Sequence, residues 1–331
     1  MKFFIAAGAT VKAVASLLFA ALFLSLCIPV HAQQYPVRPI RLVIPWPPGG
    51  ITDVISRTIA AALSESLGQQ VVPDNRPGAA GTLGVSIGAH AQPDGYTLIM
   101  TDVPSHAISA TLYKKLNFDS VKDVEPIALP SRSPLVLVVN PKLGVKTIAQ
   151  LIEQAKARPG QVAFASSGSG SITHLTAERF IAETGVKLLH VPYKGGGPAA
   201  AALVAGESNM YFSCISAAIP HIKAGRLTLL GITTAERSSL FPESPTVAEA
   251  LPGFVMGCNT GLFGTGGTPA RILDRIHADV MKAVEQPKVK SVLTSNAAEA
   301  STLTREQFKA YVLDEINAWG KIVRAAGLTV D

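Results

Sequence analysis

Apolar residues in this chain recur with two different periods, and the switches between them mark out its elements. The run Ile40 to Ile44 is short and bounded by Pro45, which reads as a strand, whereas from Asp53 to Leu67 the apolar positions fall at helical spacing until Gly68 stops them. Gln70 to Val72 and Tyr96 to Met100 read as further strands, the second behind the turn Pro93-Asp94-Gly95. After Pro130 the rhythm restarts. Leu135 to Val139, Val162 to Ala165 and Leu188 to Val191 read as strands, and Ile148 to Ala157, His174 to Glu183 and Pro198 to Ala205 as helices closed by glycine. From Pro269 onward the pattern is helical, over Ala270 to Val284, Gln286 to Leu293 and Glu306 to Val323.

This alternation predicts an α/β protein with two sheets, each mostly parallel and flanked by helices. The C-terminal helices offer little strand for a third domain, so they are expected to return to the first sheet. That places residues 33–130 with 258–331 in lobe 1 and residues 131–257 in lobe 2. The chain then crosses twice, near Ile127 to Ser133 and near Gly257 to Gly264, and two lobes joined in this way can close on a ligand by hinge motion. A single continuous sheet would refute the scheme.

The first residues have a different pattern. Lys2 and Lys12 precede an apolar run from Val14 to Ile28, and Pro29-Val30-His31-Ala32 leads into Gln33-Gln34, as in a secretory signal peptide cut after Ala32. The run is shorter than the roughly 20 residues a spanning helix needs. An exported, periplasmic protein without membrane insertion is expected. Removing 32 of 331 residues leaves 299, and the formal charge falls from +6 to +4 as the two lysines leave. A mild basic excess, with aromatics at 6% and no basic cluster among them, fits a small anion better than nucleic acid. Cys214 and Cys258 remain. The simpler reading is two free buried thiols, with pairing in an oxidising compartment as the alternative. There is no CxxC and no histidine cluster at ligand spacing, so neither metal nor cofactor is expected.

Three glycine-rich loops follow strands: Pro45 to Asp53, Ser166 to Ser171, and Pro192 to Gly197. Ligands of open α/β sheets sit at the carboxyl ends of strands, and these loops offer N–H and hydroxyl donors that suit a carboxylate. Gly168-x-Gly170-x-x-Thr173 only partly matches a dinucleotide fingerprint, and no acid follows at the required distance; no P-loop is present. Asp53 has two readings, a helix cap or an acceptor facing an amino-bearing or protonated ligand. His174 reads as a structural or ligand-binding histidine, with a secreted hydrolase using Ser169 or Ser171 as the competing interpretation. Arg41 and Arg57 are expected to be solvated or paired.

The segments YPVRPIRLVIPWPPGGITD, NRPGAAGTLG, PDGYTL, SSGSGSITHL, HVPYKGGGPAAAAL and RSSLFPESPTVAEALPG occur here in order. Together they resemble the Bug-type periplasmic solute-binding proteins of tripartite tricarboxylate transporters. The resemblance implies a Venus-flytrap fold of periplasmic-binding-protein type II. Such a protein takes a small carboxylate and hands it to the transporter's membrane components, as a non-catalytic, monomeric receptor; a sensor feeding a signalling partner is the variant. It further implies that Trp46, Gly49, Gly50 and Asp53 line lobe 1, that Ser167, Ser169, Gly170, Ser171 and His174 line lobe 2, and that Tyr193, Lys194, Gly195 and Gly196 form a side wall. Thr101 to His106, Ser208 to Met210 and Tyr211 to Cys214 depart from the family pattern, and are expected to face the distal end of the ligand.

Overall fold

A computed structural model describes residues 35–237, 241–325 and 327–330. The expected signal peptide and part of the RSSLFPESP motif lie outside the described residues. Among the described residues, no helix is long and apolar enough to cross a membrane.

The strands are β1 (Ile40–Ile44), β2 (Val71–Asn75), β3 (Thr97–Asp102), β4 (Val124–Arg132), β5 (Leu135–Val139), β6 (Ala163–Ser166), β7 (Leu189–Pro192), β8 (Met210–Cys214), β9 (Thr228–Ile232), β10 (Thr260–Thr265) and β11 (Glu299–Ala300). They form two sheets, one of order β11-β4-β10-β3-β1-β2 and one of order β7-β6-β8-β5-β9. The main helices are α1 (Ile51–Leu67), α2 (Thr82–Ala89), α3 (Val103–Leu112), α4 (Ile148–Ala157), α5 (Ile172–Thr184), α6 (Gly196–Ala205), α7 (Ile215–Lys223), α8 (Val247–Ala250), α9 (Ala270–Glu285), α10 (Pro287–Ser295) and α11 (Arg305–Ala325).

Pairing in both sheets is more mixed than the sequence rhythm suggests. β1 pairs in parallel with β2 and β3, and β6 with β7 and β8, but β10 runs antiparallel to β3 and β4, and β5 antiparallel to β8 and β9. The reversals have one cause. β5 and β10 are the strands that receive the chain from the other sheet. The remaining long strands end at the boundary between the sheets, so a strand that begins there must run the opposite way. The two crossings lie side by side: Pro134 bridges Gly257, Cys258 N–H donates to Ser133 O at 2.6 Å, and Ser133 Oγ donates to Cys258 O at 2.9 Å.

That geometry corrects the reading of free thiols. Leu135 is the register partner of Cys214, and Cys258 lies on the adjacent return crossing, so both cysteines reach one spot. They form a disulfide with a Cα–Cα distance of 5.8 Å, inside the range such bonds require.

β2 extends to Asn75, beyond the strand read from sequence, because Pro73 sits on an edge strand, where a missing N–H breaks no ladder. α3 is one of several elements the periodicity does not reveal, with α2, β4, α7, β9 and β10. It is buried at Val103 to Ser109 and at Leu112, so it has no polar stripe to give a helical signal. The C-terminal helices do return to the first sheet, α9 against α1 and β4 and α11 against α3 and β4, with Phe308 of α11 packed on Phe263.

Candidate functional site

Five strand-to-helix junctions meet at a cavity between the two sheets. From the first sheet come Trp46, Pro47, Pro48, Gly50, Ile51 and Thr52 between β1 and α1, and Asp102 between β3 and α3. From the second come Ser167, Ile172 and Thr173 ahead of and within α5, Gly196, Gly197 and Pro198 of α6, and Tyr211, Cys214, Ser216 and Ala217 around α7; Cys258 of the return crossing completes the lining. The empty space, including its open mouth, is about 560 Å³. The first N–H groups of a helix have no partner inside it, and each helix start carries roughly half a positive charge. The cavity is therefore electropositive although no lysine, arginine or histidine lines it.

Side chains around the junctions hold the loops. In the first, Asp53 Oδ2 accepts from Gly49 N–H at 3.0 Å, and Oδ1 accepts from Arg57 Nε at 3.0 Å and Asn75 Nδ2 at 2.8 Å. Burial works to raise the Asp53 pKa, but the bonds from Arg57, Gly49 and Asn75, with the Arg57 charge, outweigh it and leave the carboxyl below its usual range. Asp53 thus ties the opening turn to β2, and neither of its sequence readings describes that role. Arg41 is paired as well, with Asp74.

In the second loop Thr173 is the hub: its hydroxyl accepts from Ser167 N–H at 2.8 Å and lies 3.0 Å from both Ser167 Oγ and Ser171 Oγ. Ser171 Oγ also donates to Gly168 O at 2.7 Å. His174 Nδ1 accepts from Gly170 N–H at 3.1 Å, which puts the ring proton on Nε2, 3.4 Å from Glu178 Oε1, while the ring stacks on His190 with centroids 4.0 Å apart. Burial, followed by the nearby His174, pushes His190 down to about 4, so the ring is neutral, with Nε2 hydrogen-bonded to Ser166 Oγ at 2.7 Å.

Two glycines let the halves approach. A Cβ on Gly195, whose φ is +117°, would meet Pro47 Cγ at 2.9 Å, and one on Gly170, whose φ is +84°, would collide with Leu112. A hydrogen bond also links the halves, from Ile172 N–H to Ser105 Oγ at 3.0 Å. Ser105 Oγ in turn donates to Asp102 Oδ2 in a short bond.

Four buried polar atoms of the lining residues have no protein partner: Trp46 Nε1, Tyr211 OH, Ser216 Oγ and Asp102 Oδ1. Tyr211 is 1% exposed, and burial pushes its hydroxyl up to about 12 against the opposing pull of the neighbouring Thr173, Ser213 and Ser167 hydroxyls, none of which reaches hydrogen-bonding geometry. Asp102 is 3% exposed, and burial pushes its carboxyl up to about 7 against the opposing bonds from Ser105. Three orphaned groups able to donate and one acidic acceptor converge on the same space.

Of the residues singled out from the sequence, Trp46, Gly50, Ser167 and Gly196 line this cavity. Gly49, Gly170, Ser171, His174 and Gly195 shape the loops behind it through the contacts given above. Ser169 and Lys194 are exposed outside the lining, and Tyr193 OH turns away to donate to Glu207 at 3.3 Å. Sequence reasoning missed Thr52, Thr173 and Ser216 as lining residues, and placed Asp102 and Tyr211 only within stretches expected to face the ligand's distal end. For Asp102 a signal existed: an acid at the carboxyl end of an apolar strand, where such sheets bind ligands.

Two mixed sheets joined by paired crossings, with a donor-rich cavity between them, define a solute-binding protein of the periplasmic-binding-protein fold. The model of the tripartite tricarboxylate transporter family receptor matches residues 55–328, and the chain belongs to that family. It is 37% identical over 301 residues to Protein BugT of Bordetella pertussis, covering 90% of this chain and 92% of that protein. Among solved structures, R. palustris Rpa4515 with adipate superposes with a TM-score of 0.85 at 33% identity, covering 89% of this chain and 99% of the other. MatC (Rpa3494) from Rhodopseudomonas palustris with bound malate superposes with a TM-score of 0.83 at 32% identity, covering 87% and 100%.

Proposed function

We propose that this receptor binds a small carboxylate in the cavity between its sheets and delivers it, in the periplasm, to the membrane components of a tripartite tricarboxylate transporter. The observation that carries the reading is the convergence of helix starts with the orphaned donors of Trp46, Tyr211 and Ser216, in a cavity lined by no basic side chain. Structures of relatives holding adipate and malate support it. In this proposal the acid's oxygens take the amides of Gly50 to Thr52 and of Gly196 and Gly197, together with the Ser167 and Tyr211 hydroxyls. The surrounding glycines and His174 hold these loops in place. Export by the N-terminal segment agrees with a disulfide, which persists in oxidising compartments. The receptor acts as a monomer.

Closure occurs about the crossings at Arg132 to Pro134 and Gly257 to Asn259, with residues 33–130 and 258–331 moving against 131–257. The chain acts without catalysis. A Ser–His hydrolase needs an imidazole nitrogen free to take a serine proton, whereas Nδ1 of His174 accepts from Gly170 N–H and Nε2 carries the proton beside Glu178. The test is a thermal-shift screen of small mono- and dicarboxylates, in which a ligand of the folded state raises Tm by mass action. Binding without turnover, with compaction in solution scattering, is expected. Turnover of an acid that is lost in His174→Ala would overturn the receptor reading.

A further inference from the structure

We propose that the solute is a zwitterion, a small carboxylate that also carries a cationic nitrogen, an ammonium or a protonated ring N–H, set against Asp102. The proposal rests on the carboxylate-binding reading above and names the chemistry of the ligand's other end. Asp102 is the one charged side chain among the lining residues, and one of its oxygens is unsatisfied. Nothing within the protein completes it. Its other oxygen is taken by Ser105 Oγ, which is itself fixed by Ile172 N–H from the second half. Thr260, its register partner on β10, has a buried unpartnered hydroxyl that is not bonded to it. No ion pair reaches Asp102 among the described residues, and the one other charge acting on it, Glu315 of α11, has the same sign.

A buried carboxylate oxygen left without a partner is unfavourable, so a bound solute that supplies a donor there gains affinity. The chemistry of that donor follows from charge. A second carboxylate at this end would face Asp102 directly, and two like charges sharing a site cannot both ionise easily. An apolar end would leave the oxygen orphaned. A cationic nitrogen satisfies it, and the aromatic surface of Trp46 and Tyr211 in the same lining favours a cation as well. The helix starts still hold the carboxylate, so the cavity is polarised, with donors over most of its wall and one negative point.

The experiment is isothermal titration with matched sets of probes: α-amino acids, ω-amino acids from β-alanine to 6-aminohexanoate, and pyridine carboxylates. Each is compared with its nitrogen-free analogue and with a dicarboxylate of the same length. The expected result is a nitrogen-bearing acid that binds at least tenfold more tightly than both comparators; which set contains it separates an ammonium from a ring N–H. Asp102→Asn should lower that affinity at least tenfold and so close the gap between the nitrogen-bearing acid and its nitrogen-free analogue. At pH 7 binding should release up to about half a proton, because Asp102 titrates near 7 and a cation beside it favours its charged form. If the tightest ligand is a dicarboxylate or a nitrogen-free acid, bound with proton uptake and no loss in Asp102→Asn, the zwitterion is excluded while the carboxylate reading stands. If the folded protein binds no acid of any set, both fall. The wild-type comparison does not depend on how well the variant folds.

Discussion

The two halves of this protein meet one cavity with different chemistry. The first half presents main chain from the Pro47 to Thr52 turn, an indole N–H and the lone acid Asp102; the second presents hydroxyls from Ser167, Thr173, Tyr211 and Ser216. Both halves direct helix starts at the space, but only the second is rich in side-chain donors. One half can therefore distinguish charge while the other grips oxygen, and a solute is recognised in full only when both touch it. Ser105 lies at the junction, bonded to the acid on its own side and to a helix start on the other.

The comparison is tested most strongly at its one negative point. The Asp102 pKa is raised from 3.8 to about 7, so its contribution to stability is present in full below 3.8 and is lost as pH rises through 7. Asp102→Asn should leave ligand-free stability unchanged near pH 4 and raise it by up to about 4 kcal/mol by pH 8. Urea unfolding at several pH values measures this, and a gap that does not vary with pH would show that Asp102 is not strained by burial. Next in size is the covalent tie at the boundary. Cys214→Ala with Cys258→Ala should lower unfolding stability by about 3 kcal/mol, and an unchanged denaturant midpoint would show that the boundary holds without it.

Much of this was legible beforehand. The strand-to-helix junctions at PPGG, SSGSGS and YKGGG follow from proline and glycine breaking one period where another begins, and they do surround the cavity. Which residues of a junction face inward is set by tertiary contact, which spacing does not encode. Asp53 looked like a ligand acid but is consumed by Arg57, Asn75 and Gly49, while Asp102 occupies the position that such an acid would need. Asp102 was placed only within a stretch expected to face the ligand's distal end and not singled out, because the helix that follows it is buried without a polar stripe. The disulfide depends on the register of β5 with β8 and on the path of the return crossing, neither of which is a local property.

Smaller effects separate the lining from what only borders it. Tyr211→Phe removes an orphaned hydroxyl, so it should leave ligand-free stability unchanged or raise it by about 1 kcal/mol while weakening acid binding about tenfold. Thermal unfolding with titration checks both arms, and a loss of stability without a loss of affinity would make the hydroxyl structural. Tyr193→Phe should change stability and affinity by less than about 0.5 kcal/mol, since its hydroxyl points to exposed Glu207 and not into the cavity. A clear loss of affinity there would restore the side wall implied by family resemblance.

The most direct measurement is a crystal structure with the tightest-binding acid of the screen. The carboxylate is predicted within hydrogen-bonding distance, about 3 Å, of the Tyr211 hydroxyl and of main-chain amides at the starts of α1 and α6. A second, larger cavity beside the crossings is lined by Arg132, Arg179 and Arg237 and is the obvious rival for an anion. An acid found among those arginines, with the space between the helix starts empty, would contradict the account.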